Sequence, residues 1–425
     1  MVSHCLRLLM AALLVLSCSG TALAEGFALY EYSARGVALG GAMLARKPDA
    51  SAVAYNPALL TRLPGINLMG GFSTISPMGK MDTTDQYGNK ETTALRKDTW
   101  VVPHLYYTHQ INDKFTFGVG EFTRYGLGFE YPHNWPGRFN IYEVALQSFS
   151  INPNIAWAAT DKLSLAAGFE ILYVDLDIKK RAAADGIPAE MFEVDSNIKE
   201  ATDTGFGWNI AGHYQFNDQW AAGLLYRSQV RVHAKGEVEY TLVNNQLGAM
   251  GQASYDQNFR DGKAHATVIL PDSVAGGISF TPIPELSIEV TATWTRWSTF
   301  RGLNIHLPQP IGESRNKKHW DDAWRIGVGV EYSPLDWLTL RAGYVFDQSP
   351  MSGKYQDYLV PTNDRDIWSA GLGFNWGSWT VDMAYAFIDA KGRVYHASDE
   401  TKVLKGRTHE SNATHVVSFS LAYQF

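Results

Sequence analysis

Two cysteines are all the chain holds, and both, Cys5 and Cys18, lie within its first 24 residues. Past that point there is no thiol to cross-link, so an exported form is held together without disulfides. Long apolar runs are missing too. After Ala24 nothing approaches the roughly 18 consecutive apolar residues that mark a membrane-crossing helix, which excludes a helical membrane protein. A surplus of positive charge is absent: Lys+Arg 36 against Asp+Glu 43 gives a formal net charge of −7, the wrong balance for a nucleic-acid partner. No H-E-x-x-H, cysteine cluster, G-x-x-x-x-G-K-[ST] or G-x-S-x-G is present, so no metal, nucleotide or other cofactor and no serine-hydrolase elbow is expected. Nucleotide-driven activity is not expected of such a chain.

What is present begins with a leader. Met1 to Arg7, the apolar run Leu8 to Leu16 and the A-x-A stretch Ala22-Leu23-Ala24 follow the order of a secretory signal peptide, so residues 1–24 are expected to be removed. From Ile66 onward the hydrophobic period is two. Leu286, Ile288, Val290, Ala292 and Trp294 alternate with Ser287, Glu289, Thr291, Thr293 and Thr295, and the segments at 324–332 and 338–347 behave alike. Charge on the less apolar face of these strands does not suit a dry core, where unpaired charge is costly; the apolar face is therefore read as the outside.

Fourteen such segments are predicted, near 66–75, 98–110, 114–124, 141–159, 162–181, 201–216, 219–240, 263–281, 285–305, 319–332, 336–348, 364–375, 379–395 and 410–425. Short turns such as 111–114, 160–162 and 376–379 alternate with long polar loops near 76–97, 125–140, 182–200, 241–262, 306–318, 349–363 and 396–409. That alternation fits a transmembrane antiparallel β-barrel of a Gram-negative outer membrane, with turns and both termini in the periplasm. The final alternation through Val417, Phe419, Leu421 and Tyr423 ends on Phe425, an aromatic terminus of the kind read by the barrel-assembly machinery. In 162–181 the apolar parity slips near Leu172, predicting a bulge, while Pro103 and Pro153 each remove a ladder donor.

Residues 25–64 do not alternate and are small-residue rich. A piece of about 40 residues without disulfide or metal sits at the lower limit for folding alone, so it needs a host. A barrel of this strand number lies between the filled small type and the open channel, and the segment is expected to be a plug in its lumen. Asn56-Pro57 supplies a restricted turn with an amide to bond the inner wall. The predicted organisation is thus signal peptide 1–24, N-terminal hatch 25–64 and barrel 65–425.

Gly26-Phe27, Asn56-Pro57-Ala58, Trp100-Val-Val-Pro103, Tyr125-Gly126-Leu127-Gly128, Gly205-Phe-Gly-Trp208-Asn209, Tyr226-Arg227-Ser228, Leu270-Pro271, Asp322-Ala-Trp-Arg325 and Phe346-Asp347-Gln-Ser-Pro350 occur in this order. Together with the leader and the fourteen strands, the chain resembles the FadL-type long-chain fatty-acid transporters of Gram-negative outer membranes, whose relatives import toluene and other aromatic hydrocarbons. The resemblance spans essentially all of the chain after the leader. It implies a monomer set in outer-membrane lipid and lipopolysaccharide. Hydrophobic small molecules, fatty acids or hydrocarbons, would meet an apolar groove among the outer loops and then a lumenal pocket near the mature N-terminus. They would leave sideways through a gap made by an inward kink of the third strand. Gly26 and Phe27 match the pocket contact, and Tyr125, Gly126, Leu127 and Gly128 the kink, where glycine makes bending cheap. Arg181, Lys317 and Lys318 lie near outer strand ends where the family places basic residues, and Asp347 is a candidate partner for the new N-terminal amine. The acidic stretch with Asp185, Glu190, Glu193, Asp195 and Glu200 would not attract a carboxylate, which keeps uncharged substrates open. An outer-membrane hydrolase and a general porin are the rival classes.

Overall fold

The computed structural model describes residues 26–425 except 86, 97, 184–190, 352–354, 361–362, 397, 399–404 and 409–411. The expected leader, Asp185 and Glu190 lie outside the described residues. The wall has fourteen strands, several of them in two pieces. They are β1 (Ile66–Met78), β2 (Trp100–Gln110), β3 (Phe115–Phe122 and Leu127–Glu130), β4 (Glu143–Ala158), β5 (Leu163–Ala182), β6 (Phe192–Gln215) and β7 (Trp220–Arg227 and Val230–Asn245). The ring continues through β8 (Gly262–Leu270 and Ser273–Ile283), β9 (Leu286–Thr295 and Gly302–His306), β10 (Glu313–Lys317 and Ala323–Leu335), β11 (Leu338–Asp347), β12 (Arg365–Trp376), β13 (Trp379–Ala390) and β14 (Asn412–Gln424). Each pairs antiparallel with its neighbour, and β1 closes on β14 from Asn67↔Gln424 to Met78↔Ala413. Closure removes the sheet edges around most of the circumference.

The alternation explains the wall. Trp208, Leu224, Ile278, Val290, Trp324 and Trp368 point outward and are exposed in the isolated chain, as a lipid-facing belt requires. Their neighbours turn inward and are polar: Ser73, His104, Asn152, Asn209, Glu289 and Arg341 are all buried. The turn at Trp376↔Trp379 is two residues long and Gly377 adopts φ +59, the left-handed conformation such a hairpin asks for. The parity slip near Leu172 is not the expected bulge. Leu172, Val174 and Ile178 keep the inward positions of Ser164, Ala166 and Glu170 and are apolar because the interior there is apolar, while the register shift between Leu176 and Ile178 places its extra residue in β6.

Beyond the membrane the pattern inverts. On the second piece of β7, Val230, Val232, Ala234 and Val238 are buried inside while Arg231, His233 and Lys235 are exposed outside. Strands β7 to β10 all break at this level, at Ser228-Gln229, Pro271-Asp272, Arg296 to Arg301 and Lys318 to Asp322. The same inversion corrects one expectation. Residues 192–200 belong to β6 rather than to a loop, with Phe192, Val194, Ser196 and Ile198 buried. The outer loops carry a helix, Ala249–Asn258, and an aromatic stack in which Tyr131 lies 4.1 Å from Trp135, and Trp135 5.3 Å from Tyr358. Burial pushes the Tyr131 phenol well above its ordinary value.

Residues 26–63 pack inside the ring. Helix α1 (Ala34–Ala38) touches β11 to β14, and a 3₁₀ helix, Pro57–Arg62, touches β2 to β6. Between them Leu44 abuts Gly223 of β7 and Gly277 of β8. A segment that meets the wall on all sides lies within it. Its seam with the wall is ionic. Glu289 accepts from the Leu44 and Arg46 amides at 2.6 and 3.0 Å, and its Oε2 sits 3.3 Å from Arg46 Nε. Arg35 donates twice to Glu331, at 2.8 and 2.7 Å, and Glu331 also accepts from Arg341 at 2.7 Å. Buried charges of this kind survive only when paired.

Candidate functional site

Asn56 is fully buried where the chain enters the 3₁₀ helix. Its Oδ1 accepts from the Ala58 amide at 3.1 Å, while its Nδ2 donates to Leu44 O at 2.6 Å and to Gly212 O of β6 at 3.2 Å. One amide therefore caps the helix, ties two stretches of the N-terminal segment together and fastens both to the wall. Pro57, at the first helical position, loses no hydrogen bond there.

At the other end of the segment, Phe27 sits in an aromatic nest. Its ring centroid is 4.7 Å from Trp297, 5.7 Å from Phe300, 5.8 Å from Trp320 and 6.0 Å from Tyr125. Gly26 has φ +58, and a Cβ there would stand 2.8 Å from Trp320 and 2.9 Å from Trp297, so no larger residue fits.

The wall is incomplete beside this nest. Strand β2 pairs with β1 along its length but with β3 only from Leu105↔Glu121 to Gln110↔Thr116. Past Phe122 the third strand turns inward. Tyr125 forms a bridge with Ala28, Leu29 N donates to Arg124 O at 2.8 Å, and Gly126 N donates to Phe27 O at 3.0 Å. The strand then resumes at Leu127, paired with β4 alone. Tyr125, Gly126, Leu127 and Gly128 thus stand at the point where the chain leaves the wall and returns. Trp100 lies across the break, its ring so close to Gly128 that a Cβ there would be 2.1 Å from Trp100 Cε2.

A cavity of about 350 Å³ follows this break. Phe27, Glu31 and Arg365 line its lumenal part, and Trp100 and Val101 its part at the wall, where Val101 is 63% exposed on the outer surface. Arg365 donates to Asp347 at 2.9 and 2.5 Å. Asp347 is thereby engaged, and the amine expected to meet it lies outside the described residues.

The other basic candidates are not brought together. Arg181 Nη1 is 2.9 Å from Asp195, with its guanidinium 5.4 Å above the Tyr142 ring. Lys318 is buried and donates to Asp357 at 2.5 Å. Lys317 stands on the outer face, away from the cavity. One cluster with metal-ligand character occurs among the described residues, Glu130, His133 and Glu143 at the outer rim. Its carboxylates already pair with Arg96 and Lys179.

Sequence reasoning assigned no role to Trp100, Trp297, Phe300, Trp320 or Arg365. For Trp297, Phe300 and Trp320 the signal is weak, aromatics placed where the period-two pattern fails at 296–300 and 319–321; Trp100 and Arg365 open regular strands and carry none.

Comparison with known proteins agrees with this geometry. Residues 15–425 match the family model described as outer membrane protein transport protein (OMPP1/FadL/TodX). A long-chain fatty acid transport protein of Escherichia coli O6:H1 is 28% identical over 383 residues, 84% of each chain. Outer membrane protein P1 of Haemophilus influenzae is 26% identical, over 94% of this chain and 93% of its own. Among solved structures, a Pseudomonas aeruginosa FadL homologue superposes with a TM-score of 0.84 at 20% identity, covering 94% of this chain and all of its own. The Pseudomonas putida toluene transporter TodX follows at 0.75 and 17%, covering 93% and 99%; at such identities these two speak for the fold alone. A closed fourteen-stranded wall, a lumen packed by the chain's own start and a match along nearly its whole length place this chain in the OMPP1/FadL/TodX family of outer-membrane transport proteins.

Proposed function

We propose that the protein takes up hydrophobic compounds passively: the ligand binds in the cavity beside Phe27 and leaves sideways between β2 and β3, while residues 25–64 act as a hatch against free flow. The observation that carries this reading is the continuity of one cavity from Phe27 to Val101, at the stretch where the β2–β3 ladder is missing. Moving an acyl chain through water forfeits about 0.8 kcal/mol per methylene, and a side exit into the bilayer avoids that step. Long-chain fatty acids are the first substrate class, since relatives carry that name. Aromatic or aliphatic hydrocarbons are the second reading, favoured by one feature: Arg181, Lys318 and Arg365 are each engaged by a carboxylate of the chain itself.

The test is uptake by cells that lack their own transporter of this family and produce this one, using radiolabelled oleate and toluene in parallel. Saturable entry of either, with little steady current through the purified protein in planar bilayers, supports the reading; preference for one substrate decides between the two classes. Entry no faster than in non-producing cells, or large open-pore currents, would overturn it.

A further inference from the structure

Above the lipid-facing belt, the outer face of β7 to β10 forms a surface that uptake through the lumen does not use. Register places Arg231 opposite Ile269 and His233 opposite Thr267, His265 opposite His306, and Asn304 opposite Arg315. Paired residues point the same way, and Arg231, His233, Thr267, Asn304, Arg315 and Lys317 are all exposed. With Arg296 and Arg301 at its base, this face encloses a concavity of about 930 Å³.

Its charge is lopsided on a chain whose formal net charge is −7. Arg296 pairs with Asp272 at 2.7 Å and Arg315 with Glu313 at 2.7 Å. No ion pair engages Arg231, Arg301 or Lys317 among the described residues. Three cations that line one concavity without a carboxylate partner raise its positive potential, which an anion bound there would offset. The height of the patch says which anion. It begins where the outward aromatics Trp208, Trp294 and Trp324 end, the level at which a barrel's aromatic girdle meets headgroups. The lipid of that leaflet in a Gram-negative outer membrane is a phosphorylated glycolipid. Guanidinium groups suit phosphate in geometry as well as charge, and Thr267, Asn304 and Ser298 offer polar groups that suit sugar hydroxyls.

We propose that this concavity binds the phosphorylated headgroup of an outer-leaflet glycolipid, fixing one such lipid against β7 to β10. The test uses the intact barrel in detergent, titrated with bisphosphorylated lipid A and with its dephosphorylated form, read by native mass spectrometry. Unaltered protein should prefer the phosphorylated lipid by roughly tenfold or more, the size expected from charge-assisted contacts. Arg231→Gln/Lys317→Gln should lose that preference, and Lys114→Gln/Lys162→Gln, in the opposite turns, should keep it. Retention of heat-modifiable electrophoretic mobility shows that each variant is folded. Equal binding of the two lipids by the unaltered protein, which needs no variant, would overturn the proposal. So would displacement of lipid A by an equal concentration of inorganic phosphate, which would mark a small-anion site instead.

Discussion

Strands β12 and β13 pair without interruption from Arg365↔Ala390 to Trp376↔Trp379, whereas β2 and β3 part company above Leu105↔Glu121. The first seam is held by its own ladder. At the second, the third strand exchanges its wall partner for the chain's N-terminal stretch, Phe27 to Leu29. The backbone groups of a buried strand must be satisfied somewhere, so a break in a membrane wall needs a substitute partner on the inside. In this molecule the lumenal segment is that partner, and the integrity of the break depends on how firmly the segment is anchored.

That difference can be broken at the anchor. Glu289→Gln leaves Arg46 buried without its counter-charge, and loss of one member of such a pair costs about 3–5 kcal/mol. Hydrogen exchange at residues 44–46 should quicken, and the amides of Leu29 and Gly126 should follow, while those of β12 and β13 stay protected. At the break itself, Gly128→Val puts methyl groups where the Trp100 ring lies. Overpacking there costs about 1–3 kcal/mol of stability, and with the break obstructed hydrophobic uptake in the cell assay should fall. Asn56→Ala removes a cap and a wall contact together; a loss of about 1 kcal/mol should appear as faster exchange at Ala58 with the barrel still assembled. Leu372→Ala, on the outer face of the continuous seam, should leave uptake unchanged. If it lowers uptake as far as Gly128→Val does, the two seams are not functionally distinct.

Most of the wall was legible because lipid on one side and a wet lumen on the other impose a strict period of two. Where the surroundings change, the code changes. Residues 192–200 looked like an acidic loop because Glu193, Asp195 and Glu200 were read as a charged run, while the alternating Phe192, Val194 and Ile198 faced an interior that the lipid rule did not foresee. Gly126 and Gly128 stand where the third strand turns inward, at positions that the family resemblance rather than local spacing singled out. What fills the space was not legible: Trp100 meets Gly128 across strands, a contact that no local spacing encodes. The partners of the charged candidates were hidden for a similar reason. Arg181, Lys318 and Asp347 are conspicuous as charges in a sequence, but whether a charge is available depends on partners more distant in the chain for Lys318 and Asp347, Asp357 and Arg365, than a motif can see.

The small sheet on the outer side has a bearing on how the cylinder shuts. Lys80–Thr84 and Lys90–Ala94, from the excursion after β1, join Val394–Tyr395 and Lys405–Thr408, from the excursion before β14. The first and last staves are therefore clasped a second time above the line where they meet, through Met81↔Thr408 to Thr84↔Lys405. Prising that joint apart requires two latches to give way, which makes the meeting of the first and last staves one of the least easily reopened parts of the circumference.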